Sequence, residues 1–167
     1  MTTDDAPGMP ARPDSPGAPD VPDAPAVVVQ RVLPAPPDVV FDEWIDPEAM
    51  AEWMCPRPSR PTRIDIDPRV GGRFLIDIDD EGFELTVTGE YLELDRPHRL
   101  RFTWGCSVWE PSDPESVVTV TLEPHGDGCT LMTIHHVQLP PKVVDNHRHG
   151  WTLIGQQLED SLQSRPR

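Results

Sequence analysis

The chain has 167 residues, enough for one domain with a sizeable core and too few for two comfortable ones. Its 29 Asp and Glu against 14 Lys and Arg leave a formal net charge of -15. That argues against nucleic-acid or anionic-lipid partners, because neutralising phosphates takes clustered basic residues. No basic and apolar leader opens the sequence, and no run nears the roughly 20 apolar residues that span a bilayer, so a cytoplasmic protein without membrane insertion is expected.

Residues 1–26 hold almost no large apolar side chains, and prolines recur at every third position from Pro7 to Pro25. Such a segment cannot bury enough surface to offset the entropy of ordering it, so it reads as a disordered acidic tail. Its spacing would put every proline on one face of a polyproline II helix, which suits either a docking peptide or a solubilising extension. The folded domain is expected over residues 27–167.

Val27 to Leu33 is rich in β-branched residues and stops at Pro34, which predicts a first strand. Asp38 is placed to cap a helix carrying Val39, Val40, Phe41, Trp44 and Ile45, which Pro47 ends or interrupts. A second short turn follows over Glu48–Met54. The proline-dense stretch Pro56–Pro61 reads as a loop leading into a strand at Thr62–Ile66.

After the turn at Gly71-Gly72, Phe74, Ile76 and Ile78 alternate with Arg73, Leu75 and Asp77, so the first three are expected to point inward. A turn at Asp79–Gly82 leads to Phe83, Leu85 and Val87, alternating with Glu84, Thr86 and Thr88. That parity reaches Gly89 and Tyr91, with a bulge before Leu94. Leu100, Phe102 and Trp104 share a face of the next strand, and Val118, Val120 and Leu122 a face of the one after. The last strand puts Met132, Ile134 and His136 on one side and Leu131, Thr133 and His135 on the other. Successive strands with short turns favour an antiparallel sheet.

From Lys142 to Leu162 the period changes. Trp151, Ile154, Leu158 and Leu162 recur at steps of three and four, while Gln156, Gln157, Glu159 and Asp160 are read as facing away. This amphipathic helix, entered past Pro140-Pro141 and stopped before Pro166, would cover the apolar face of the sheet.

The phrases VGGRF (Val70–Phe74), TGEYLELDRPHRLRFTW (Thr88–Trp104), GCTLMTIHH (Gly128–His136) and HRHGWTLIGQQL (His147–Leu158) resemble the START-like, Bet v 1-like (SRPBCC) superfamily. Within it they resemble the branch named for the C-terminal domain of the activator of Hsp90 ATPase. The resemblance runs from about Val27 to Leu162. It implies an α+β helix-grip fold, in which a curved antiparallel sheet wraps a long C-terminal helix, two short helices follow the first strand, and a cavity lies between sheet and helix. It also implies a spread of activities, from binding of apolar molecules through cyclase and dehydratase chemistry to co-chaperone action, with no shared catalytic motif. One departure stands at Gly155, four positions after Trp151, where the family usually has a large apolar residue. Either a strand approaches closely there or the missing side chain makes room for a ligand.

The set expected to line such a cavity is Trp44, Trp53, Phe74, Phe83, Leu85, Phe102, Trp104, Met132, Ile134, His136, Trp151, Gly155 and Leu158, each of which has core packing as its competing role. His136 is the sharpest candidate general base, against the alternative of a hydrogen-bonded core histidine, and an enzyme of this kind could also use a tyrosine as acid or base. His135, His136, His147 and His149 diverge in pairs, so no metal site is expected from them. Cys55, Cys106 and Cys129 lack CxxC spacing and read as reduced thiols. No carboxylate pair, phosphate loop or nucleophile elbow is apparent. The leading expectation is a cofactor-free binder of a small hydrophobic or amphipathic ligand, more a binding protein than an enzyme. The alternatives are a cyclase or dehydratase using the same cavity and an Hsp90-type co-chaperone. A homodimer is compatible with the sequence.

Overall fold

The run of β-branched residues in VVVQRVL forms the edge of an antiparallel sheet whose seven strands are ordered β1-β7-β6-β5-β4-β3-β2. The computed structural model describes residues 26–165; the expected tail lies almost wholly outside them. The strands are β1 (Val27–Leu33), β2 (Arg60–Ile66), β3 (Arg73–Asp80), β4 (Phe83–Asp95), β5 (Arg99–Cys106), β6 (Ser116–Pro124) and β7 (Thr130–Val137). Two short helices, α1 (Pro37–Ile45) and α2 (Pro47–Trp53), separate β1 from β2. A long helix, α3 (Val144–Ser164), ends the described chain after one 3-10 turn at Pro141–Val143. This is the α+β helix-grip architecture.

Alternation decides which side of each strand is covered. In β7, Thr130, Met132, Ile134 and His136 are buried, and in β6 so are Ser116, Val118, Val120 and Leu122. Register carries the same face across the sheet, with His136 opposite Val118 and Val27, and Ile134 opposite Val120 and Val29. In β4 a register shift between Tyr91 and Glu93 leaves Leu92 as the extra residue, the expected bulge. Such a bulge bends a strand of this length and helps the sheet curve around α3.

Local chemistry sets the boundaries. The β3–β4 hairpin turns on two residues, Glu81 (φ 53°) and Gly82 (φ 95°), the positive-φ pair that a tight hairpin requires. The expected four-residue turn is thus shorter, and Asp79 and Asp80 belong to β3. Gly89 is needed for a different reason. A Cβ there would collide with the Thr103 carbonyl and with the Phe74 ring, so its bare backbone is what lets Phe74 lie flat on the sheet.

The cap assigned to Asp38 is not made. Pro36 occupies the N-cap of α1 without a side-chain bond, and Asp38 sits in the first turn, where its charge favours the helix dipole. Asp46 is the true cap: its Oδ1 accepts from the Glu48 N–H at 3.0 Å and starts α2, with Pro47 in the first turn. Pro47 therefore both separates the two helices and begins the second.

An aromatic cluster fills the centre, where all three helices meet the sheet. Trp44 and Trp53 meet edge-on at 4.9 Å between centroids, as do Phe74 and Phe102 at 5.4 Å, and Trp104 and Trp151 meet tilted at 5.1 Å. One buried charge enters this region. Glu43, at 2% exposure, accepts from Trp53 Nε1–H at 3.0 Å and pairs with Arg165 just past α3, which joins the end of the long helix to α1.

Candidate functional site

Beside the aromatic cluster the sheet and α3 part company. β3, β4 and β5 contribute Ile76, Ile78, Leu85, Val87 and Trp104 to one wall. The first turns of α3 contribute Asn146, His147, Gly150, Trp151 and Ile154 to the other. The segment after α2 (Met54, Cys55, Pro56, Ser59) and the β5–β6 connection (Val108, Trp109) close the sides. The space enclosed is about 370 Å3, within the usual range for small-molecule sites. Its walls are mainly apolar. Polar groups are few: Ser59 donates to Asp80 at 2.6 Å on one side, and Lys142 and Asn146 stand on the other. A second void, of only about 10 Å3, lies among Trp44, Phe74, Tyr91, Phe102 and Trp104 and is no larger than a water site.

The thirteen expected lining residues divide sharply. Leu85, Trp104 and Trp151 border the large cavity. Trp44, Phe74 and Phe102 border only the small void and otherwise pack in the core. Trp53, Met132, Ile134 and Leu158 are fully buried core residues away from both spaces. Phe83 does share the inward parity of Leu85 and Val87, but it lies at the hairpin tip beyond the reach of α3 and is 58% exposed. Gly155 also moves out of the site: a Cβ there would meet Arg31 Cδ at 3.4 Å and Met132 Cε at 4.0 Å. The glycine therefore faces side chains of β1 and β7 at ordinary contact distance, outside the cavity.

His136 is correctly placed inward but does not reach the cavity. It is fully buried, and both ring nitrogens are engaged. Trp151 Nε1–H only donates, so Nδ1 of His136 accepts, at 2.9 Å. Nε2 then carries the proton and donates to Ser116 Oγ at 2.7 Å, and that hydroxyl donates onward to the Trp104 carbonyl at 2.6 Å. Burial first, then the nearby His147 and His135, hold its pKa well below the ordinary value of 6.5. A neutral imidazole with no free lone pair binds α3 to the sheet and is not poised to take a proton.

His147 lies next to it, with ring centroids 5.3 Å apart, and has the opposite tautomer. Its Nδ1 sits 2.9 Å from the Val143 carbonyl, which only accepts, so Nδ1 carries the proton. Burial outweighs that hydrogen bond and lowers the pKa of His147 below the ordinary value. The signal for His147 was present in the sequence: it stands four residues before Trp151, one turn back along the same stripe.

Gln157, expected to face solvent, instead turns inward. Its Nε2 donates to the carbonyls of Trp53 (2.9 Å) and Cys55 (2.8 Å), and its Oε1 accepts from Arg57 N–H at 3.0 Å. These bonds hold a segment in which Cys55 takes a φ of 76°, a left-handed conformation rarely adopted by non-glycine residues. Glu159, also expected outward, is half-buried and pairs with Arg31 of β1 at 2.5 Å. The thiols at the cavity stay protonated at neutral pH: burial pushes Cys55 up to about 12 and also raises Cys106. Among the described residues no three His, Cys, Asp or Glu side chains converge as metal ligands, and no helix is long and apolar enough to cross a membrane.

The family model described as activator of Hsp90 ATPase homolog 1-like protein matches residues 34–163. Among solved structures, protein CV1439 from Chromobacterium violaceum is 28% identical over 84% of this chain and 99% of its own, with a TM-score of 0.75. Protein MLL2253 from Mesorhizobium loti is also 28% identical, over 85% and 99% of the two chains, at 0.69. An HSP90 activator from Plasmodium falciparum shares the fold at 22% identity and a TM-score of 0.67, covering 84% of this chain and 97% of its own. Among proteins with curated descriptions, none matches the chain.

Proposed function

We propose, for a chain that belongs to the activator of Hsp90 ATPase homolog 1-like family, that it binds a small, largely apolar molecule in the cavity between the sheet and the first half of α3. The observation that carries this reading is the cavity itself, about 370 Å3 with Trp104, Trp151, Ile76, Val87 and Ile154 on its walls. Protein interiors are packed like organic crystals, so a space of this size is a feature to be explained. Filling it with an apolar ligand removes both the ligand and the cavity walls from water. The protonated thiols and the fully engaged His136 favour binding over chemistry at this site.

The test is titration with the neutral fluorophore N-phenyl-1-naphthylamine, together with native mass spectrometry of freshly purified protein. Saturable fluorescence enhancement is expected, and Leu85→Trp, which puts an indole into the half-buried mouth, should weaken it at least tenfold. Absence of saturable enhancement in the unaltered protein, with no co-purified mass, refutes the reading.

A further inference from the structure

Of the nitrogens on the two adjacent histidines, three are occupied. His136 accepts from Trp151 at Nδ1 and donates to Ser116 at Nε2, and His147 donates to the Val143 carbonyl at Nδ1. The fourth, Nε2 of His147, has no partner among the described residues and is not sealed away from solvent. With Nδ1 protonated and the ring neutral, that nitrogen presents a lone pair. The side chain borders the cavity, between Trp109, whose ring centroid is 5.8 Å away, and His136 at 5.3 Å. Burial, which lowers the pKa of His147, keeps the lone pair free of a proton at neutral pH.

We propose that the cavity selects neutral apolar ligands bearing a hydroxyl or N–H group, and that Nε2 of His147 is the specificity-determining acceptor for that hydrogen. This rests on the ligand-binding reading above and adds the chemistry by which the ligand is chosen. A ligand with no donor leaves a half-buried acceptor without its hydrogen bond, and a carboxylate meets a lone pair where it would need a donor. Two other acceptors stand at the walls, the Asp80 carboxylate, which already takes the Ser59 hydroxyl, and the Asn146 amide oxygen; His147 is set apart from both by its place between the Trp109 and His136 rings, and Lys142 only donates. The His136 tautomer contributes indirectly, because its Trp151 bond fixes the wall against which His147 lies.

The experiment compares 2-naphthol with 2-methoxynaphthalene, which differ in the donor, by isothermal titration and by 15N NMR of the histidine side chains. Unaltered protein should prefer 2-naphthol about three- to tenfold, the yield of one net hydrogen bond. The unprotonated nitrogen resonance of His147 should shift with 2-naphthol and stay in place with 2-methoxynaphthalene. In His147→Phe the preference should fall to about one, and His147→Gln, which restores an acceptor, should recover part of it. Equal affinity for the two probes with no movement of the His147 resonance overturns this inference and leaves apolar binding standing. A preference that persists in His147→Phe overturns it as well. Failure of both probes to bind unaltered protein overturns the ligand-binding reading and this inference together.

Discussion

Replacing His136 with phenylalanine should expose how the long helix is fastened to the sheet. The ring is fully buried, and its Nδ1 is the acceptor for Trp151 Nε1–H, itself on a residue 2% exposed. Phenylalanine fits the same space but leaves that indole N–H orphaned, at a cost of about 1–3 kcal/mol. Ser116 loses an incoming bond worth about 0.5–1.5 kcal/mol but keeps its own donation to Trp104. Burying a phenyl ring in place of a desolvated imidazole offsets part of this, so the net loss should be about 2–3 kcal/mol. At roughly 4 °C per kcal/mol for a domain of this size, the thermal midpoint should fall about 8–12 °C. Stability against pH supplies an independent readout. The folded pKa of His136 lies below the ordinary 6.5, so the unfolded chain takes up the proton first as pH falls. This contribution to stability is therefore fully present above about pH 6.5 and is lost progressively below it, with a slope of up to about 1.4 kcal/mol per pH unit. His147, shifted the same way, adds its own slope, so the variant should retain one of the two. Urea unfolding followed by tryptophan fluorescence between pH 5 and pH 8 measures both effects. A variant as stable as the parent, with the same pH slope, would refute the proton assignment around His136.

Gly155→Ala should raise stability by about 0.5–1 kcal/mol in urea, since its Cβ would meet Arg31 Cδ at 3.4 Å and Met132 Cε at 4.0 Å, ordinary contact distances, and the helix interior loses a glycine. Gly155→Leu should cost about 1–3 kcal/mol by overpacking against β1, with probe affinity unchanged; weakened binding at intact stability would return the glycine to the pocket. Gln157→Ala removes three hydrogen bonds from the Trp53–Arg57 segment and should lower stability by about 1–3 kcal/mol, with faster amide exchange concentrated there. Gly89→Ala should cost at least about 2 kcal/mol, because the Thr103 carbonyl it would strike belongs to the neighbouring strand and cannot step aside; a neutral effect on thermal melting would contradict the close approach.

The elements could be read from the sequence because each rests on a short-range rule. Alternation placed Phe74 and Ile76 on the same face, and Met132, Ile134 and His136 on another stretch of it, and the phrases around Gly71-Gly72 and Gly150-Trp151 carried the family. Parity says which way a side chain points and nothing about how far the covering layer extends, so Phe83 and Val87 look alike in sequence. Only the second is buried, on the cavity wall. Polarity misled in the same way at Gln157 and Glu159. Both sit beside the apolar stripe, and both find partners in segments about 100 or more residues distant, which no local pattern encodes.

The site was less legible than the fold because a cavity is defined by what fails to meet. Against one wall from β3, β4 and β5 stand the α2–β2 segment, the β5–β6 connection and the start of α3, three stretches whose separation from the strands depends on the whole sheet's curvature. Sequence alone favoured the largest aromatic residues as lining, yet those pack well against one another, so Trp44, Trp53 and Phe102 close the core, and of the expected aromatics only Trp104 and Trp151 border the opening. The histidines show the same logic at atomic scale. His136 and His147 are adjacent in space and equally histidine in sequence, but an indole donor fixes one tautomer and a helix carbonyl fixes the other. That difference of one proton's position turns the first into a fastening and gives the second a free acceptor at the cavity wall.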